Sequence, residues 1–218
     1  PTHYDEPIES NLQEAAISLS EILKTGDTSR WILKIIVDDQ DLTINFPVQD
    51  TKEKILIKIA KMRKRLESAI PLLSPQVRAN IAIASNDAID SSDIVAFPGR
   101  LTPVGGKARP LSSPKFGASS HLSELLLNLR KFNSNTSVII NLRWDSIISE
   151  LLNNLDINTV LLSRNGDNLS INNLTLEAEA LIDEGGYGFE PSLYIVGHSQ
   201  DRVCKIVEDL AKSMEAMA

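Results

Sequence analysis

The pattern of apolar and polar positions changes character near residue 74 of the chain. Before that point it predicts a helix, a β-hairpin with a four-residue polar turn, and a second helix with an apolar stripe. In chain order these elements are Ile8–Ile22, Trp31–Val37 with Leu42–Phe46, and Ile55–Leu66. Both faces of the first hairpin strand carry apolar side chains, which need to be covered. We therefore expect residues 1–74 to form a helix–hairpin–helix extension packed on the domain that follows.

From residue 75 onward, apolar runs of strand length alternate with helical patterns. The predicted strands are Asn80–Ala84, Ile94–Phe97, Val138–Leu142, Thr159–Leu162 and Leu193–Val196. The predicted helices are His121–Lys131, Asp145–Asn153, Leu174–Ile182 and Gln200–Met217. Such alternation is typical of a layered α/β domain, which we predict over residues 75–218. Between Pro98 and Gly117 the chain is rich in Pro, Gly and basic residues, and the pattern there predicts a long loop that is either functional or mobile.

Composition and charge exclude several classes of protein. With 42% hydrophobic and 23% charged residues, the chain is expected to fold, and no apolar run reaches the roughly 18 residues of a membrane span. Cys204 is the single cysteine, so an internal disulfide and a cysteine-based zinc cluster are excluded. The net charge of −7 argues against nonspecific binding to nucleic acid. The N-terminus shows no secretory signal, and we expect a cytoplasmic protein with no membrane partner.

The common nucleotide and metal motifs are absent from the sequence. It contains no GxxxxGK[ST], no GxGxxG after a strand and no HExxH. What remains is a set of short polar clusters at the ends of predicted strands. These clusters are Pro98–Arg100, Gly117–His121, Asn141–Trp144 and Gly185–Pro191.

The physical chemistry of these clusters suits an anionic ligand. Small residues at the start of a helix expose backbone N–H groups that an anion can approach, and the helix dipole favours it. Arg100 and Arg143 could offer forked donors to phosphate, and His121 could donate to an anion or move a proton. Each cluster alone is also explained by an N-capped helix or by surface arginines. The four together favour a site for a phosphorylated small molecule.

The order and spacing of four stretches, DIVAFPGR, FGASSH, VIINLRW and GGYGFEP, resemble the ThiN-type thiamine-phosphate synthase domain. The resemblance covers Pro75 to Met214. It implies a three-layer α/β/α fold with a mixed, largely antiparallel sheet, similar to class II aldolases of the AraD type. It also implies an enzyme that joins hydroxymethylpyrimidine diphosphate to thiazole phosphate and releases thiamine phosphate and diphosphate.

The resemblance assigns catalysis to Arg100 and His121. The remaining predicted site residues would bind substrate; they are Asn80, Gly117, Ala118, Ser119, Ser120, Asn141, Arg143, Gly186, Gly188 and Glu190. Among the departures from the family are two positions where it usually carries Lys and Arg and this chain has Phe189 and Tyr194. If those cations bind phosphate directly, each loss weakens binding by ~1–3 kcal/mol.

Two functions therefore stay open on the sequence alone. One is the synthase, with a phosphorylated pyrimidine and thiazole as partners and magnesium bridging their phosphates. We expect no metal ion held by the protein and no tightly bound cofactor. The other is a non-catalytic domain that senses thiamine phosphate, as in family members fused to a DNA-binding helix-turn-helix. Nucleic acid would then be bound only through a fused domain that these 218 residues lack. A homodimer is compatible with both functions.

Overall fold

The chain divides between residues 49 and 50 into two compact units. A computed structural model describes residues 31–37, 40–46, 52–166, 168–171 and 178–217. In the first unit, β1 (Trp31–Val37) pairs with β2 (Gln40–Phe46) in antiparallel register from Trp31 opposite Phe46 to Val37 opposite Gln40. This pairing confirms the predicted hairpin but not its four-residue turn, because Gln40 and Asp41 belong to β2. The helix predicted over Ile8–Ile22 lies outside the described residues.

The second unit contains the other described helices and strands. Its helices are α1 (Lys52–Arg65), α2 (Ala69–Leu72), α3 (Ser120–Phe132), α4 (Ser146–Asn154) and α5 (Gln200–Ala216). Its strands are β3 (Ile81–Ala84), β4 (Ile94–Ala96), β5 (Leu101–Val104), β6 (Lys107–Pro110), β7 (Lys115–Phe116), β8 (Val138–Arg143), β9 (Thr159–Leu161), β10 (Ser163–Asn165), β11 (Asn168–Ser170), β12 (Ala180–Asp183) and β13 (Ser192–Gly197). Strands β5 and β6 form one separate hairpin and β10 and β11 another.

A seven-stranded sheet, in the order β7-β4-β3-β8-β13-β12-β9, forms the middle layer of this unit. All of its neighbouring pairs are antiparallel except β12 and β9, which are parallel. Helices α1, α2, α4 and α5 contribute to the core on one face, and α3 packs on the other. This arrangement confirms the three-layer α/β/α fold with a mixed, largely antiparallel sheet.

Helix α1 shows how the sequence pattern produces the packing. Ile55, Ile59 and Met62 recur at three- and four-residue spacing. Each is at most 2% exposed and belongs to the core between the helix and the sheet. Seven lysines and arginines occupy other positions of the helix. The helix that the pattern placed at the end of the N-terminal extension thus packs on the sheet of the second unit, while the packing of residues 1–49 stays a prediction.

Two expectations from the sequence are wrong in this unit. The helix expected over Leu174–Ile182 is contradicted at its end, because Ala180–Ile182 belong to β12, between β13 and β9; residues 174–177 lie outside the described residues. Pairing on both sides outweighs the helical preference of this Leu- and Ala-rich segment. The Pro98–Gly117 segment is not a plain loop, since it contains β5, β6 and β7. Gly105 and Gly106 both have positive φ, as a two-residue hairpin turn requires.

Candidate active site

A cavity of about 280 Å³ lies at the end of the sheet where β8 finishes and β13 begins. Its size is close to the lower bound for a small-molecule pocket. The residues that line it are Val77, Arg100, Ser119, His121, Leu122, Asn141, Arg164, Phe189, Ser192 and Tyr194. The structure therefore brings together four residues predicted from the sequence, Arg100, Ser119, His121 and Asn141.

Arg100 enters the cavity from a tight turn that follows β4. Its backbone N–H donates to the carbonyl of Phe97, and its φ of 67° lies in the left-handed region. This conformation costs a residue with a Cβ roughly 1–2 kcal/mol. Strained backbone conformations of this kind cluster at functional sites. Gly99, with a φ of 73°, completes the turn, where a Cβ would lie 2.7 Å from a Leu111 methyl carbon.

The Arg100 guanidinium holds the segment before β3. It donates to the carbonyl oxygens of Val77 at 2.8 Å and Arg78 at 3.4 Å. Arg78 also has a positive φ, of 69°, so two left-handed residues meet at this wall. Within the part of the chain that the structure describes, Arg100 makes no ion pair with a carboxylate. Its positive charge remains available to an anionic ligand.

Glu190 fastens the glycine-rich loop to the same segment. Its two carboxylate oxygens accept from the backbone N–H groups of Gln76 at 2.8 Å and Val77 at 2.9 Å. The loop itself closes through reciprocal backbone hydrogen bonds between Gly186 and Phe189. Glu190 is thus a structural anchor, and it supports the wall that Arg100 contacts.

Two buried asparagines join the strands beneath the cavity. Asn80 donates to the Phe97 carbonyl at 3.0 Å and accepts from the N–H groups of Ile81 and Phe97. Asn141 accepts from the Asn80 N–H at 2.7 Å and donates to the Arg78 carbonyl at 3.2 Å. Both amides are used internally. Asn80 therefore supports the site from below, and only Asn141 reaches the cavity surface.

His121 lies in the first turn of α3, and its Nε2 is 2.8 Å from the hydroxyl oxygen of Tyr194 on β13. The two ring centroids are 5.7 Å apart. Tyr194 is only 3% exposed, so its hydroxyl reaches His121 from within the sheet layer. The helix start is capped by Ser119, whose Oγ accepts from the Leu122 N–H.

The surroundings favour the neutral forms of both groups. Partial burial, followed by the positive charges of Arg100 and Arg164, lowers the pKa of His121 below 6.5. Burial raises the pKa of Tyr194 to about 12. At neutral pH the cavity therefore contains the uncharged imidazole of His121 in a hydrogen bond with the uncharged phenol of Tyr194.

Arg164 and Phe189 form another part of the cavity wall. The Arg164 guanidinium pairs with the carboxylate of Asp183, with Nε 3.1 Å from Oδ1 and a second, closer contact between Nη2 and Oδ2. The guanidinium carbon lies 4.2 Å from the centre of the Phe189 ring, a cation–π geometry. The wall thus combines a paired cation with a flat apolar surface.

Several predicted binding residues lie outside the cavity lining. The Nε of Arg143 lies 3.2 Å from a carboxylate oxygen of Asp145. Its Nη2 lies 3.7 Å from the sulfur of Met214. These contacts bring it to α5 instead of the cavity. The small residues around the helix start and the loop also lie beyond the lining; they are Gly117, Ala118, Ser120, Gly186 and Gly188.

Six of the ten residues that line the cavity were not predicted as site residues; they are Val77, Leu122, Arg164, Phe189, Ser192 and Tyr194. Phe189 and Tyr194 stand where the sequence departs from the resembled family, and those departures were the available signal. A larger open depression, of about 580 Å³, lies at the other end of the sheet beside Arg130 and His198. Arg130 is committed there to the carbonyls of Asn86 and Thr136, and no cluster from the sequence maps to this depression.

The family model of thiamine-phosphate synthase ThiN matches residues 57–209. The chain belongs to this family. It is 22% identical to "Thiamine-phosphate synthase ThiN" of Methanothermobacter thermautotrophicus over 75% of this chain and 97% of that protein. It is 24% identical to the "Bifunctional thiamine biosynthesis protein ThiDN" of Methanocaldococcus jannaschii over 89% of this chain and 49% of that protein.

Solved structures share the fold. The C-terminal domain of phosphomethylpyrimidine kinase superposes with a TM-score of 0.65 at 20% identity, covering 73% of this chain and 100% of that one. Family membership supports an enzyme of the transferase class with a role in thiamine biosynthesis. Among the helices that the structure describes, none is long and apolar enough to cross a membrane.

Proposed function

We propose that this chain joins hydroxymethylpyrimidine diphosphate to thiazole phosphate and releases thiamine phosphate and diphosphate. The observation that carries the proposal is the convergence of Arg100 and His121 on one cavity. Among the described residues Arg100 donates only to carbonyl oxygens and pairs with no carboxylate, so its charge can act on a phosphate.

The proposed reaction exchanges one bond for another. The thiazole ring nitrogen forms a bond to the methylene carbon of the pyrimidine, and the bond from that carbon to the diphosphate oxygen breaks. The diphosphate leaves with the electron pair, and the ring nitrogen becomes positively charged. The attacking nitrogen carries no proton, so the step requires no general base. Its main requirement is stabilisation of the negative charge that develops on the leaving diphosphate.

The residues of the cavity supply donors for that charge. Arg100 offers its planar fork of N–H groups, and His121 offers a ring N–H. Arg164 adds positive potential, although Asp183 balances much of it. Phe189 provides a flat apolar surface suited to a substrate ring.

A magnesium ion carried by the substrate phosphates fits this site better than one held by the protein. Among the described residues, no group of three His, Cys, Asp or Glu side chains could hold a metal ion. Asp183, beside the cavity wall, is committed to Arg164 and to the Gly185 N–H. Phosphate oxygens would therefore supply the ligands for magnesium.

Alanine substitutions at the two central residues test the proposal. Arg100→Ala and His121→Ala should each reduce kcat by ~10²–10³-fold while thiamine phosphate binds with little change, because both groups act on charge that develops in the transition state. Arg100→Lys should restore little, since an ammonium cannot reproduce the planar fork. The matched control is Arg109→Ala, a half-exposed arginine outside the cavity lining, which should leave kcat unchanged.

Binding assays separate the proposed enzyme from a sensor of thiamine phosphate. A sensor would bind thiamine phosphate, form none from the two substrates, and respond to the same substitutions with altered affinity only. That result would contradict the proposed function.

A further inference from the structure

The contact between His121 and Tyr194 places two neutral groups in one hydrogen bond, which can be arranged in two ways. Either the phenol donates its O–H to Nε2, or Nε2–H donates to the phenol oxygen. The two arrangements leave different groups for the substrate. In the first, His121 presents Nδ1–H; in the second, it presents a bare Nδ1 that can only accept.

Chemistry favours the first arrangement. A phenol O–H is a strong donor and its neutral oxygen a weak acceptor, whereas the unprotonated imidazole nitrogen is a good acceptor. The bond made by one ring nitrogen determines which nitrogen carries the proton. No residue of the described chain forms a hydrogen bond with Nδ1, so nothing there competes with the Tyr194 contact in fixing the tautomer.

We infer that Tyr194 is a positioning residue that holds His121 as the neutral Nδ1–H tautomer and so makes it a hydrogen-bond donor to the leaving phosphate group. The role in diphosphate departure rests on the proposed function; the tautomer does not. Arg100, Arg164, Asp183 and Glu124 are the charged groups that act on the imidazole, and the two arginines have larger effects than the two acids.

This assignment matches the demands of the step. An imidazolium acid would have to be reprotonated after each turnover, and the two arginines disfavour that cation. A neutral Nδ1–H stabilises developing negative charge without transferring a proton, and the bond to Tyr194 keeps the ring in place as that charge appears. Tyr194 acts on the substrate only through His121.

Nitrogen NMR of the histidine rings reads the tautomer directly. Two-bond 1H–15N spectra of the full chain, labelled at histidine and recorded at about pH 8, should show His121 as a neutral ring with a protonated Nδ1 and an unprotonated Nε2. The sequence contains three histidines, and His121→Gln identifies the resonances. In Tyr194→Phe the proton should move largely to Nε2, the form that free histidine prefers.

Tyr187→Phe is the matched control. It removes the same hydroxyl group from a fully exposed tyrosine that has no contact with His121 in the described structure. It should leave the His121 spectrum unchanged. An Nε2–H tautomer in the wild-type protein, or a tautomer that is insensitive to Tyr194→Phe, would overturn the inference.

Kinetics then separate this inference from the proposed function. Tyr194→Phe should lower kcat by roughly tenfold with KM nearly constant, the effect of one lost hydrogen bond. An inactive wild-type protein with the Nδ1–H tautomer would contradict the synthase and leave the tautomer assignment intact. An active protein with the Nε2–H tautomer would support the synthase and contradict the tautomer assignment.

Discussion

Replacement of Asp183 by asparagine should destabilise the protein strongly, because Asp183 neutralises a cation in the wall of the cavity. Its side chain is 2% exposed and that of Arg164 14% exposed, so water cannot replace the lost carboxylate. Breaking a buried ion pair by removing one partner costs about 3–5 kcal/mol. For a unit of this size that corresponds to a decrease in Tm of about 6–20 °C.

Urea unfolding followed by circular dichroism measures this loss as a change in midpoint at constant m-value. Asp209→Asn is the matched control: it removes an acid paired with Lys205 on the exposed side of α5 and should cost less than ~1 kcal/mol. In a double-mutant cycle, Asp183→Asn combined with Arg164→Met should be less destabilised than the sum of the two single changes. A loss below ~1 kcal/mol for Asp183→Asn, or simple additivity, would refute the reasoning.

Three further predictions concern pH and the cavity wall. If His121 acts as a neutral donor, kcat should stay level from about pH 7 to 9; a profile that falls throughout that range would indicate a protonated acid instead. Hydrogen bonds from Lys64 and Lys107 lower the pKa of Glu67 to about 2. The stability that the Glu67 carboxylate contributes is present above pH 4.5 and lost as the pH falls toward 2. Glu67→Gln should therefore flatten the acid side of the stability profile measured by thermal unfolding. An unchanged acid side would contradict this prediction. Glu190→Gln should reduce kcat by loosening the segment that Arg100 contacts, and wild-type turnover in that variant would show that the anchor is dispensable.

The sequence was sufficient to predict the layers and most of their elements. Runs such as Val138–Leu142 carry enough buried apolar residues to be identified as strands, and the stripe of α1 identifies its buried face. The strand β12 was misassigned because its residues favour helix, and only its pairing on both sides makes it a strand. Pairing between distant segments is a property that local patterns do not contain.

Site residues could be predicted where they belong to one short polar motif. They could not be predicted where the folding of the sheet brings them to the site. Arg100 and His121 belong to short polar clusters, so they could be identified before the fold was known. Tyr194 lies in an apolar strand and has the pattern of a core residue; its hydroxyl meets His121 only because α3 covers the sheet face to which Tyr194 belongs. Arg143 was expected in the site, but the end of β8 directs it toward Met214.

The central claim, that the cavity forms thiamine phosphate, is tested most directly by 31P NMR of the wild-type protein with both substrates and magnesium. The claim predicts that thiamine phosphate and diphosphate appear in equal amounts as the pyrimidine diphosphate disappears, and that Arg100→Ala slows their formation by ~10²–10³-fold. Calorimetry with thiamine phosphate on the same sample establishes whether the cavity is competent to bind. Clear binding without any product from the two substrates would contradict the claim.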